Sequence, residues 1–166
     1  MSQSSDPNPS LRLNRDLHHD YLAGGLFKLP TRYEFLDCSQ PWLAYWITHS
    51  LAILGYETTL SKFLLLQVSR ESNSYGFLFP SRPDLAWSKM IKFLNTHCLH
   101  DGGYGGGYLQ IPHLATTYAA INTIVSLRKE DALRSIDRPN LYRYLMRMKQ
   151  EDGSFILHED GEKDVR

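Results

Sequence analysis

Trp42, Tyr45, Trp46 and His49 fall at i, i+3, i+4 and i+7, the spacing of one stripe along a helix. Ser39-Gln40-Pro41 just ahead predicts where that helix starts, a Ser cap followed by Pro in the first turn, and Gly55 can end it. Met90, Phe93, Leu94 and Cys98 form a second stripe, predicting a helix over 85–99. Leu141, Tyr144, Leu145 and Met148 form a third, opened by Asp137-Arg138-Pro139. Between these two, 117–127 is apolar almost all round, which predicts a buried helix. Only a marginal helix is expected over 11–29, where apolar and charged positions mix and Gly24-Gly25 weakens the run. Turn chemistry breaks 60–82 repeatedly, so an irregular insertion is expected at about 58–82. No stretch shows the alternation of a strand.

The second and third stripes belong to a repeat. Met90–Tyr104 and Leu141–Phe155 align at a constant offset of 51 residues: Leu94/Leu145, Asp101/Asp152 and Gly102/Gly153 are identities. Lys92/Arg143, Phe93/Tyr144 and Tyr104/Phe155 are near-equivalents. A fixed period of this length signals units that bury their apolar faces only by stacking. Each unit reads as a helix, an Asp-Gly turn that needs a positive φ, a short loop and a second helix. The same offset sets Arg166 opposite Ala115, so the pattern predicts a chain cut in mid-unit, a piece of something longer. The expected fold is all-α, a stack of helical repeats.

Composition narrows the partners. Eighteen basic and eighteen acidic residues balance, and no block of like charge stands out, which argues against a nucleic-acid or anionic-membrane surface. The first ten residues are rich in Ser, Asp, Asn and Pro, without the basic and apolar regions of a secretory signal. A disordered tail is expected over 1–16, with the folded part over 17–166. The longest apolar-rich stretch, 42–56, is too short for a membrane span. Cys38 and Cys98 are the only cysteines, which points to a reduced thiol pair and a cytoplasmic protein.

Four constellations could carry chemistry. The run Gly102–Gly107, which contains Tyr104, lacks the Lys-Ser/Thr of a phosphate loop and fits no G-x-G-x-x-G register, so a packed turn is the better reading. His97, Cys98 and His100 are metal-ligand types, but a structural zinc site needs about four ligands, and a helix end with His near its negative pole accounts for them. Trp42 and Trp46 read either as core or as the wall of a site for a long apolar ligand, and spacing alone favours core. His113 and Arg166 lie in loops leading into the second helix of each unit; Glu162 and Asp164 precede Arg166 in a charged loop.

Several of these segments together resemble one family. Pro41-Trp42-Leu43-Ala44-Tyr45-Trp46, Asp101-Gly102-Gly103-Tyr104-Gly105-Gly106-Gly107, Pro112-His113-Leu114-Ala115-Thr116-Thr117-Tyr118-Ala119-Ala120, Asp152-Gly153-Ser154-Phe155 and Asp164-Val165-Arg166 are similar, in order and register, to the β subunits of protein farnesyltransferase. The resemblance covers 17–57 and 83–166. It implies part of an α–α toroid and a heterodimer with an α subunit. The implied reaction moves a fifteen-carbon farnesyl group from farnesyl diphosphate to the Cys of a C-terminal C-a-a-X motif.

By the same resemblance, Trp42 closes the lipid pocket at farnesyl length, and the related geranylgeranyl enzyme lacks that tryptophan. Trp46 helps form the pocket for an aliphatic residue of C-a-a-X. Ser39, His113 and Ala115 line the pocket for the last residue, X. Cys38 and Thr116 also match that lining but differ from the small residue and proline expected there. Glu162 and Arg166 match residues that reach the peptide carboxylate region through water, together with His113. The family's zinc, which stabilises the substrate thiolate, is implied to be held by an Asp, a Cys and a His beyond residue 166. No metal ligand and no catalytic residue is therefore expected within this chain, which should be inactive alone. The rival readings are a non-catalytic helical-repeat fragment or isoform that binds the α subunit, and a geranylgeranyltransferase relative.

Overall fold

A computed structural model describes residues 12–27, 31–55, 83–98 and 101–164. Six α-helices are described: α1 (Arg15–Phe27), α2 (Gln40–Ile53), α3 (Pro83–Asn95), α4 (Leu114–Ser126), α5 (Glu130–Arg134) and α6 (Arg138–Met148). A 3-10 helix, Thr31–Ser39, leads into α2. The segment read as an insertion at 58–82 lies outside the described residues.

Helix boundaries follow local chemistry, not always the residue the sequence suggests. α1 forms across Gly24-Gly25 and starts at Arg15, because Asn14 Oδ1 accepts from the Leu17 N–H at 3.1 Å. α2 opens with Pro in its first turn as expected, but the Ser39 side chain makes no capping bond. The orphan N–H of Gln40 donates instead to the Gly106 carbonyl at 2.9 Å. A tertiary contact thus satisfies the first donor of the helix. α2 stops where Gly55 takes φ +79°, and its N–H returns to the Ala52 carbonyl. In α6 the expected cap is present: Asp137 Oδ1 accepts from the Asn140 N–H.

α2 packs most extensively on α4. Ala44, Ile47, Thr48 and Leu51 meet a facing surface that includes Thr116, Ala119, Ala120, Thr123 and Ile124, all buried. Small residues let the backbones approach, and the buried hydroxyls are satisfied within their own helices: Thr48 Oγ1 donates to Ala44 O at 2.7 Å and Thr123 Oγ1 to Ala119 O at 2.8 Å. Met90 and Leu94 from α3, with Leu127, Ala132 and Ile136, extend the same core. Each fully buried Leu or Ile contributes roughly 1.5–3 kcal/mol.

The 51-residue offset continues through the turns. Gly102 and Gly153 both take positive φ, +92° and +85°. Leu109 and Asp160, again 51 apart, take +60° and +58°. Isolated bridges pair Cys98 with Tyr104 and Lys149 with Phe155, then Gly105 with Pro112 and Ile156 with Lys163. The backbone bonds repeat too: Gly105 N to His97 O matches Ile156 N to Met148 O, both 2.9 Å. Each unit is thus a helix followed by a double turn, and in the first unit the double turn delivers the chain to α4.

Candidate functional site

The aromatic stripe of α2 is not core. The buried side of the helix carries Pro41, Ala44, Ile47, Thr48 and Leu51, while Trp42 and Tyr45 are half-buried and Trp46 is 51 % exposed. Spacing alone pointed the other way. The stripe of Trp42 is as regular as that of Ala44, and the smaller side chains win the core because α4 must come close. On α4, Ala115 and Tyr118 lie outside the buried set, and Tyr118 is 53 % exposed.

These residues form one aromatic face across the two helices. Trp42 lies 5.6 Å from Trp46 and 5.8 Å from Tyr118, measured between ring centroids. Tyr45 stacks on His49 at 5.1 Å and meets Tyr118 edge-on at 5.9 Å. The hydrogen bond between the Tyr45 and Tyr118 hydroxyls, and then burial, raise the Tyr45 pKa. Tyr118 completes this wall, and periodicity could not single it out on a helix that is apolar almost all round.

The glycine run sets the N-terminal ends of both helices beside one another. Gly106 packs against the 3-10 helix so closely that a Cβ would lie 1.8 Å from the Cys38 carbonyl oxygen. Its own carbonyl holds Gln40. Two residues earlier, buried Tyr104 donates its N–H to Thr117 Oγ1 at 2.9 Å, and its carbonyl accepts from Thr116 Oγ1 at 2.6 Å. The run therefore serves close packing between α2 and α4. Ser39 and the exposed Cys38 lie at the start of α2; their side chains are 3.9 Å apart.

His113 caps α4: its Nδ1 accepts from the Ala115 N–H at 3.1 Å, and its own N–H donates to Tyr104 O. The His158 ring, from the second unit, lies 5.7 Å from it. Glu162 is exposed, and its carbonyl accepts from the Leu157 N–H at 2.9 Å. Arg166 lies outside the described residues. The structure thus brings Trp42, Trp46 and Tyr118 into one wall, while Ala115 follows His113 at the N-terminal end of α4.

His97, noted for its ligand type, is 2 % exposed and joins α3 to α2. Its Nδ1 lies 2.8 Å from Phe93 O and its Nε2 2.8 Å from Gln40 Oε1. Burial lowers its pKa, partly offset by the Phe93 carbonyl. Cys98 sits against the Tyr104 hydroxyl, with its pKa raised by burial. His100 lies outside the described residues. Among the described residues, no three His, Cys, Asp or Glu side chains cluster as metal ligands would, so these residues do not fit a zinc ion.

Residues 13–166 match the prenyltransferase alpha-alpha toroid domain. The chain belongs to this family. It is similar to protein farnesyltransferase subunit beta of Arabidopsis thaliana, 41% identical over 156 residues, which cover 94% of this chain and 27% of that protein. Its similarity to the same subunit of Pisum sativum is 42% over 127 residues, 76% of this chain and 25% of the relative. The geranylgeranyl transferase type-1 subunit beta of Arabidopsis thaliana is 30% identical over 173 residues, 96% of this chain and 42% of its own length. The chain therefore spans about a quarter of the length of the two farnesyltransferase relatives. The all-α toroid reading stands, and no helix among the described residues is long and apolar enough to cross a membrane.

Proposed function

We propose that this prenyltransferase toroid segment supplies the isoprenoid- and peptide-binding wall of a farnesyl-type β subunit. The observation that carries the reading is the aromatic face of Trp42, Trp46 and Tyr118, turned away from the core. Flat, rigid rings left outside a packed core suit a long unsaturated chain, because their apolar area is regained when the ligand covers it. On this reading Trp42 limits the pocket to fifteen carbons and Trp46 faces an aliphatic residue of C-a-a-X. Ser39, His113 and Ala115 surround X, and Glu162 and Arg166 serve the carboxylate region. The acceptor is a C-a-a-X protein and the partner an α subunit.

The substrate thiol is activated in such a reaction by a zinc ion, and the described residues do not hold one. The chain's own contribution is binding and orientation. Titrating farnesyl and geranylgeranyl diphosphate into the chain co-purified with an α subunit tests this through tryptophan fluorescence. Saturable quenching that favours farnesyl is expected, with background transfer to a C-a-a-X peptide in the presence of zinc. Binding of neither diphosphate would sink the reading, and a partner-binding module would take its place. Turnover would show that the chain supplies more than a wall.

A further inference from the structure

The backbone fixes the two neighbouring imidazoles, His113 and His158, in opposite tautomers. A backbone N–H can only donate, so His113 Nδ1 accepts from Ala115 and, in the neutral ring, the proton sits on Nε2. A carbonyl can only accept, so His158 Nδ1 donates to Glu159 O at 2.9 Å, which in the neutral ring leaves a lone pair on Nε2. Among the described residues, His158 Nε2 has no hydrogen-bond partner. The pair is held rigidly, because Leu114, next to His113, donates its N–H to the carbonyl of Leu157, next to His158, at 2.7 Å. Gly161 lies flat on the His158 ring, where a Cβ would come within 2.9 Å of Cε1 and Nδ1.

We infer that His158 is a specificity-determining residue for the last position of the peptide, an acceptor set beside the His113 donor. This rests on the proposed prenyltransferase reading. Farnesylated motifs end typically in Ser, Met, Gln or Ala. Ser and Gln carry both a donor and an acceptor, and Met and Ala carry no donor. An O–H or N–H on X finds the His158 lone pair, and an apolar X leaves it unused. The site therefore discriminates toward donor-bearing ends, since an acceptor that the bound peptide covers without giving it a partner is what penalises the wrong ligand.

Two peptides identical except for a final Gln or Met, bound by the full chain in complex with an α subunit, test the assignment. His158→Leu is expected to lower the Gln-over-Met affinity ratio by about threefold to tenfold, the range of one net hydrogen bond. His158→Gln, which keeps an acceptor, restores much of it; a merely structural role would not produce that recovery. An unchanged ratio in His158→Leu overturns the role of His158 alone. Binding of neither peptide by the unaltered complex overturns the prenyltransferase reading with it. Long-range proton–nitrogen spectra of the full chain read the tautomers directly. The proton is expected on Nδ1 of His158 and Nε2 of His113, and a proton on His158 Nε2 overturns the inference whether or not a variant folds.

Discussion

Trp42 on α2 and Tyr118 on α4 face one another with ring centroids 5.8 Å apart, on the side of the two helices turned away from the core. Side-by-side packing of α2 on α4 produces the pair, since its two rings come from different helices. Small buried residues beneath them, Ala44 on α2 with Ala119 and Ala120 on α4, make the approach possible. The wall of the candidate site is thus a by-product of how tightly the floor is packed.

Replacing Trp42 by Thr should open that wall. The side chain is half-buried among aromatic neighbours, so its loss leaves space but little damage to the core. Affinity for geranylgeranyl relative to farnesyl diphosphate is expected to rise on the order of tenfold or more, since each further methylene in an apolar pocket counts for about 1–3 kcal/mol. Fluorescence of the remaining tryptophans during parallel titrations reads the ratio. An unchanged ratio would remove Trp42 from the lipid boundary.

Two glycines give opposite expectations on substitution by Ala. At Gly106 the new methyl would meet the Cys38 carbonyl, and that contact is backbone on both sides. Gly106→Ala should destabilise by about 1–3 kcal/mol and perturb the start of α2, whose Gln40 N–H hangs on the Gly106 carbonyl. Gly24, inside α1, has nothing within 4 Å of a Cβ. Gly24→Ala should stabilise by roughly 0.5–1 kcal/mol. Thermal melts of both variants against the parent check the pair of signs.

The fold was legible because its evidence is periodic. Leu94/Leu145 and Gly102/Gly153 expose the repeat, and positive φ recurs at both glycines. What escaped the sequence depends on contacts distant along the chain. Ser39 has the chemistry of a cap yet makes no capping bond, and the first N–H of the helix is held by Gly106, remote in sequence. The stripe of Trp42 and Trp46 is regular, but only the packing of α4 decides which side of α2 is core. Tyr118 and His158 gain their significance from neighbours on other elements, Trp42 and His113.

Leu109 offers a test of the repeat as a physical object. It is 72 % exposed and sits at φ +60°, where its counterpart in the second unit is Asp160 at +58°. Asp and Asn visit this region far more readily than Leu, for which it costs roughly 1–2 kcal/mol. Leu109→Asp should therefore stabilise by about 0.5–1 kcal/mol, and Asp160→Leu should destabilise by a similar amount. If denaturant midpoints for the two swaps move in the same direction, the two turns are not equivalent.

His97 predicts an acid sensitivity. Its ring is buried, and loss of solvent holds its pKa below the ordinary 6.5. Its two nitrogens face two acceptor oxygens, Phe93 O and Gln40 Oε1, and a neutral ring carries one N–H, so it donates to only one of them. Protonation makes both nitrogens donors, but it sets a charge in a place where charge is poorly solvated, and that cost is what lowers the pKa. Unfolded His97 takes up its proton near pH 6.5, and the folded form does so only at lower pH. Between those values the unfolded state binds more protons, so stability is full above about pH 6.5 and falls as the pH drops below it. His97→Gln can bond to the same two partners without titrating. Melting temperatures followed from about pH 7.5 to 5.5 should fall less steeply for His97→Gln than for the parent. Parallel slopes would mean that His97 is solvated when charged, and that the α3–α2 junction opens readily enough to admit water.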